Sequence, residues 1–173
     1  MDYQTLRPQI ATNDVLLCKG KSLFSRIIKM LTGPDSHVMS FWRFGDGLFC
    51  IGEEEGIGFH VVPASLYISQ YDGEVKWGKA PDEVRGKDDL INTFVQQFRS
   101  NADMQEYHYG TLPKVLLSDD FGVKINPMVT GAVCSVASIQ GWITCGYPNP
   151  DKLPSPSDFE KLVTEIIVID KEV

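Results

Sequence analysis

The sequence lacks the cysteine patterns that indicate a metal site or a disulfide scaffold. It has four cysteines among 173 residues, and they form no C-x-x-C pair and no Cys/His spacing typical of zinc. A metal site made from His37, Cys134 and a glutamate would need a tighter cluster of ligands than this spacing offers. We therefore expect free thiols, no metal and no cofactor.

The sequence also lacks a dense basic tract and a long apolar run. The formal net charge is −7, and the densest basic segment, between Lys19 and Lys29, holds only four Lys and Arg residues. Nucleic-acid binders neutralise phosphates with basic surfaces, so nucleic acid is excluded as an expected partner. No apolar run approaches the roughly 20 residues that span a bilayer, so stable membrane insertion is not expected.

An apolar export segment is likewise missing from the polar beginning of the sequence. This predicts a cytoplasmic, reducing location. The alternative is a phage-associated protein, or one released to the cell wall by another route. The length suits a single domain over residues 1–173. The hydrophobic fraction of 43% suffices for a hydrophobic core without stabilising disulfide bonds or bound metals.

The order of apolar patterns predicts an α+β fold with an antiparallel sheet. Residues 14–18 form a short apolar run typical of a buried strand, and Ser22 is placed to cap a helix over residues 23–31. Residues 37–44 and 48–52 alternate around the turn Gly45-Asp46-Gly47, as expected for a hairpin. Helical patterns follow, including one over residues 130–142, and an apolar strand over residues 166–169 closes the chain.

Two residues carry the most informative chemistry. Cys134 follows small residues and precedes an apolar helical pattern, so its thiol lies near a helix N-terminus, where amides and the helix dipole favour the thiolate. His37 begins a strand just after a turn, a rigid position that suits a general base. Taken alone, each residue fits a structural role better, Cys134 as a buried core cysteine and His37 as a hydrogen-bonded histidine at a strand end.

A carboxylate could orient the imidazole of His37 and fix its tautomer. A hairpin through Gly45-Asp46-Gly47 pairs positions whose numbers sum to about 92. This pairing brings the acidic run beside the start of the His37 strand, so that Glu53 or Glu54 could reach the ring. His60, in the next alternating segment, is interpreted as structural or exposed.

Five segments form a recognisable series of motifs along the chain: Asp14-Val15-Leu16-Leu17-Cys18, Ser36-His37-Val38, Gly56-Ile57-Gly58-Phe59-His60-Val61-Val62-Pro63-Ala64-Ser65-Leu66-Tyr67, Cys134-Ser135 and Pro156-Ser157-Asp158. In order and spacing they resemble the motifs of the permuted NlpC-type papain-like hydrolases, from about residue 14 to residue 169. The usual glycine before the first aspartate is Asn13 here, and the usual isoleucine–glutamate–alanine is Ile51-Gly52-Glu53.

This resemblance implies a papain-like, circularly permuted fold, an antiparallel sheet or half-barrel packed against helices with the nucleophile at a helix N-terminus. It implies Cys134 as nucleophile, His37 as base and Glu53 as the orienting acid, with Glu54 as the alternative. Ser36, Ser135 and Tyr107 are expected to line the cleft.

The expected function is a cysteine-dependent hydrolase of amides or esters, a peptidase or amidase that forms a thioester intermediate. Cell-wall peptides are one class of substrate that the resemblance implies. Two alternatives stay open: a thioesterase or acyltransferase directed at lipids or acyl groups, and an idle module of the same fold that binds a peptide or acyl chain. The expected partners are accordingly peptide, amide or acyl substrates.

Overall fold

The computed structural model describes residues 1–88, 92 and 134–171. The predictions for Tyr107, for the helical pattern beginning at Leu90 and for residues 130–133 lie outside this part of the chain. In chain order the helices and strands are α1 (Tyr3–Leu6), β1 (Val15–Gly20), α2 (Leu23–Thr32), β2 (His37–Phe44), β3 (Gly47–Glu54), β4 (Gly58–Pro63), α3 (Ala64–Gln70), β5 (Gly73–Lys79), α4 (Cys134–Thr144), α5 (Phe159–Leu162) and β6 (Glu165–Val168).

A six-stranded sheet in the order β4-β3-β2-β1-β5-β6 forms the centre of the molecule. Every neighbouring pair of strands is antiparallel. The predicted papain-like fold with helices packed on a half-barrel is wrong: the described residues form this one sheet with few helices, of which α4, at 11 residues, is the longest. The hairpin turn and the alternating pattern correctly predicted the strands β2 and β3. They carry no information about how helices pack on a sheet.

Both faces of the sheet are covered, because successive side chains of a strand point to opposite faces. The α4 face packs Val15, Leu17, Val38 and Ile51 against α4 and Phe159. The α3 face packs the intervening residues of the same strands, such as Leu16 and Met39, against α1 and α3; it also includes Cys18, Phe41, Cys50 and Ile68.

The helix α2 begins as its sequence predicts. The side chain of Ser22 accepts a hydrogen bond from the backbone N–H of Ser25, which satisfies an amide that would otherwise lack a partner. The helix ends at Gly33, whose φ of 110° is open to glycine but disfavoured for other residues. The chain then turns back into β2 and places His37 at its first position.

Asn13, which precedes β1, has a left-handed backbone with φ of 71°. Asparagine tolerates this region better than most residues, which is consistent with the glycine expected there from the motif resemblance. Its side-chain Nδ2 donates to the carbonyl oxygen of Val84 at 2.7 Å. Asn13 therefore combines a left-handed backbone with a buried hydrogen bond to the segment after β5.

Candidate functional site

His37 lies on the α3 face of the sheet. It pairs directly with Cys18 of β1, and paired residues share a face; Cys18 belongs to the α3-side core. The ring centroid of His37 lies 6.4 Å from that of Tyr67 in α3. The imidazole thus projects toward α3, while its neighbour Val38 points into the core beneath α4.

Cys134 begins α4 and lies in the core on the opposite face, with only 3% of its surface exposed. Burial raises the pKa of its thiol to about 11, against hydrogen bonds from the backbone N–H groups of Val38, Ser135 and Cys134 itself, which favour the thiolate. Cys134 is therefore a neutral thiol at neutral pH, within hydrogen-bond reach of the residue that follows His37.

The geometry of β2 explains how a sulfur can approach the N–H of Val38. The ladder between β2 and β3 ends at the pair Ser40 and Ile51. The first residues of β2 continue to pair with β1, as far as His37 with Cys18. The strands β2 and β3 therefore separate at this end of the sheet, and the start of α4 lies beside the gap.

A pocket of about 500 Å³ opens beside His37 on the α3 face. Cys134 is not among the described residues that line it. Hydroxyl, amide, carboxylate and imidazole groups mix there with a few apolar side chains: Gly20, Lys21, Ser22, Ser25, Ile28, Ser36, His37, Glu54, Glu55, Ile57, His60, Val62, Tyr67, Gln70, Tyr71 and Asp72.

The imidazole of His37 is neutral at neutral pH and can therefore accept a proton. Burial lowers its pKa to about 4, the charge of Glu54 acts to raise it, and the charge of His60 acts to lower it further. Among the described residues its Nε2 atom is buried and has no hydrogen-bond partner. An unpartnered buried acceptor or donor is costly, so this nitrogen is available to a ligand or to a moving proton.

The two candidate carboxylates lie on opposite faces of the sheet. Glu53 is fully buried, and burial raises the pKa of its carboxyl to about 8, so it is largely protonated at neutral pH. When it ionises, its charge acts to raise the pKa of Cys134. Glu54 lines the pocket with His37. The structure thus directs Glu54, the alternative of the prediction, and not Glu53 toward the imidazole.

His60 belongs to the pocket, which the sequence analysis missed. Its Nε2 lies 3.1 Å from Oε2 of Glu54, and its ring centroid lies 6.3 Å from that of Tyr67. His60 pairs with Gly52 of β3, so it shares a face with Glu54, two residues further along β3. That register was readable from the short turn between Glu54 and Gly58, and it is the signal that could have found His60.

The expected cleft residues have different positions. Ser36 lines the pocket, where its Oγ accepts from the N–H of Gly20 at 3.0 Å. Ser135 is 1% exposed in α4 and is not among the described lining residues. Tyr71 also lines the pocket, and burial raises the pKa of its hydroxyl.

Residues 1–88 and 134–171 contain no group of three His, Cys, Asp or Glu side chains arranged to hold a metal ion. No helix in this part of the chain is both long enough and apolar enough to cross a membrane.

Comparisons with known proteins identify a similar fold. The sequence matches no known protein family and no curated protein. The structure resembles a crystal structure described as metalloprotein yiiX from Escherichia coli O157:H7, DUF1105, with a TM-score of 0.51 and 11% sequence identity. The match covers 95% of this chain and 98% of the other. At this identity the likeness concerns the fold alone, and it assigns the six-stranded sheet to that fold in place of the predicted papain-like one.

Proposed function

We propose that the protein is a cysteine-dependent hydrolase of amides or esters, with Cys134 as nucleophile and His37 as base. One observation carries the proposal: the Cys134 sulfur lies close enough to the backbone of Val38, the residue after His37, for that backbone to lower the pKa of the thiol. The base and the nucleophile therefore belong to neighbouring backbone segments, while their side chains project to opposite faces of the sheet. The motif resemblance to NlpC-type hydrolases supports the same pair.

The chemistry begins from a neutral thiol and a neutral imidazole. The proposed reaction requires the imidazole of His37 to turn from the α3 face toward Cys134. His37 then removes the thiol proton as the sulfur attacks a substrate carbonyl, and the oxyanion forms near the backbone N–H groups at the start of α4. His37 then transfers the proton to the leaving amine or alcohol, which leaves a thioester on Cys134. In the second half, His37 takes a proton from water as the water attacks, and the thiol is regenerated with the free acid.

Turnover of a panel of amide, ester and thioester substrates by the full chain tests this proposal. We expect Cys134→Ser and His37→Ala each to lower turnover by at least about 100-fold, the scale of a lost nucleophile or base. Cys145→Ala, at another buried thiol of the same core cluster, is the matched control and should keep turnover. Retained turnover in folded Cys134→Ser would contradict the proposal.

A second function is favoured by the burial of Cys134 and by its absence from the described pocket lining. The pocket beside His37 would then bind a peptide or an acyl chain without turnover. Calorimetry with substrate analogues separates the two functions. Saturable binding that His37→Ala weakens, with no product and no adduct on Cys134, would favour the binding module over the hydrolase.

A further inference from the structure

Two side chains that line the pocket, Glu54 and His60, form a charged pair that has no role in the proposed reaction steps. The pair consists of Glu54 in β3 and His60 in β4, and its side chains are 28% and 19% exposed, respectively. Tyr67 of α3 packs against both imidazoles, with ring centroids 6.4 Å from His37 and 6.3 Å from His60. Three elements of secondary structure thus direct these side chains to one place.

The ring of His60 lies between two hydrogen-bond acceptors. Its Nε2 faces a carboxylate oxygen of Glu54 at 3.1 Å, and its Nδ1 faces the carbonyl oxygen of Gly58 at 3.3 Å. Acceptors on both sides favour the imidazolium form, which carries a proton on each ring nitrogen. The geometry and the electrostatics agree, since the hydrogen bond to Glu54 raises the pKa of His60 in spite of its burial.

Glu54 is correspondingly held as a carboxylate. Burial acts to raise its pKa, but the hydrogen bond from His60 and the charge of His37 outweigh that effect and lower it. The negative charge favours the protonated form of His37, and the positive charge of His60 disfavours it. The proton affinity of His37 therefore depends on how the two charges balance.

We propose that Glu54 and His60 form an ion pair that modulates the proton affinity of His37, with His60 as a positioning residue that holds Glu54 against the pocket wall. This inference rests on the proposed function only in naming His37 the base. Burial keeps the resting imidazole neutral, and the charge of His60 acts in the same direction. When His37 accepts a proton, Glu54 stabilises the imidazolium.

Other charged groups around the pocket are compensated or lie at its rim. Lys21 and Asp72 pair with each other at 3.4 Å, with exposures of 70% and 80%, so solvent screens them. Glu55 is exposed in the turn after β3. The hydroxyls of Tyr67 and Tyr71 both have pKa values raised by burial and stay neutral. The Glu54–His60 pair is thus the charged group best placed to act on His37.

NMR titration of the histidine rings in the isotopically labelled full chain tests the proposal. We expect His60→Gln to increase the proton affinity of His37 by about threefold or more, because Glu54 then acts without its counter-charge. Glu54→Gln should lower the proton affinity of both His37 and His60. His60→Lys, which keeps a positive charge at this position, should leave His37 closer to the wild type than His60→Gln does.

Asp72→Asn is the matched control, because it removes a carboxylate from the exposed rim of the same pocket; it should leave the titration of His37 unchanged. If His37 titrates identically in the wild type, His60→Gln and Glu54→Gln, the pair does not act on the base and the inference fails. This readout needs no substrate. It therefore stands apart from the proposed function, which fails instead if Cys134→Ser retains turnover.

Discussion

Glu53 and Glu54 are neighbours in β3, yet the first is fully buried in the interior and the second lines the pocket beside His37. The alternation of a strand enforces this separation. It gives the two carboxyls opposite electrostatics: burial raises the pKa of Glu53 to about 8, while the hydrogen bond from His60 overcomes burial and lowers that of Glu54. At neutral pH Glu53 is therefore largely a neutral carboxylic acid in the core, and Glu54 is a carboxylate in the pocket.

Glu53 should make the protein less stable as the pH rises. Its pKa goes from 4.5 in the unfolded reference to about 8 in the folded chain, so between these values the folded chain binds more protons. The neutral form's contribution is complete below pH 4.5 and is lost as the pH rises toward 8. The part of the decline that belongs to Glu53 is on the order of a few kcal/mol. It is measured as the difference in urea unfolding between the wild type and Glu53→Gln, because His37 titrates in the lower part of this range with the opposite sign.

Glu53→Gln should remove that decline, because glutamine has no proton to lose. Glu55→Gln is the control, since Glu55 follows in the same acidic run and is exposed in the turn; it should keep the slope of the wild type. An unchanged slope in Glu53→Gln would show that the carboxyl titrates normally and that the burial argument is wrong.

The register of one hairpin shows what the sequence could and could not reveal about the site. The alternating patterns and the Gly45-Asp46-Gly47 signal correctly indicated a hairpin of β2 and β3. The observed ladder, with Phe44 opposite Gly47, is one position shorter than the three-residue turn assumed. A shift of one residue moves every side chain to the other face. A register predicted only to within about one position therefore left both Glu53 and Glu54 open, and the preference for Glu53 came from the motif resemblance.

The burial of Cys134 was beyond local sequence reasoning for a different reason. The apolar pattern after Cys134 indicated a helix, and residues 134–144 are helical in the part of the chain that the structure describes. Whether a helix N-terminus is open to solvent depends on the sheet it covers. The core around Val38 and Ile51 that encloses the sulfur is formed by residues about a hundred positions earlier, a separation that local patterns do not encode.

The reactivity of Cys134 should depend steeply on pH. Because burial raises the pKa of its thiol to about 11, and the thiolate is the reactive form, alkylation by iodoacetamide should be slow at pH 7 and should increase about tenfold per pH unit up to pH 9. Cys134 should still react faster than Cys50, whose pKa is raised well above its usual range by complete burial.

Peptide mapping by mass spectrometry at each pH measures the two rates separately. A rate for Cys134 that is high and constant between pH 5 and pH 9 would show a thiolate–imidazolium pair already formed in the resting protein. That result would contradict the neutral pair inferred from the structure.

Lys76 should be essential for stability. It is 7% exposed, and its amine lies 2.8 Å from the carboxylate of the fully buried Asp35 while also contacting Glu160. Lys76→Met would leave the carboxylate of Asp35 buried without a counter-charge, which costs about 3–5 kcal/mol. Chemical denaturation at pH 7 measures the loss.

Lys161→Met offers the matched control for Lys76→Met. Lys161 also pairs with a carboxylate, that of Asp158 at 2.9 Å, but its side chain is 79% exposed. Exposed pairs contribute about 1 kcal/mol or less, so this variant should unfold nearly like the wild type. Equal losses in the two variants would show that burial does not determine the value of the Lys76 contacts.

Asp14 should anchor the beginning of β1 to the far end of β5. Its carboxylate is fully buried and accepts hydrogen bonds from Nε1 of Trp77, the N–H of Ala80 and Nε of Arg85, each at 2.9 Å. Asp14→Asn replaces one oxygen with an amide nitrogen that faces donors, so it leaves buried donors unpaired and Arg85 without its counter-charge. We expect a loss of about 2–4 kcal/mol in the free energy of unfolding.

The exposed turn residue Asp46 provides the comparison for Asp14, since Asp46→Asn makes the same chemical change at the surface and should alter stability by less than about 0.5 kcal/mol. Urea denaturation of both variants, followed by tryptophan fluorescence, also reports on Trp77, whose indole donates to Asp14. A fully stable Asp14→Asn protein with unchanged fluorescence would mean that an amide satisfies the same donors as the carboxylate. The strand would then be held by the packing of Leu16 and Leu17, both fully buried, rather than by the charge at its start.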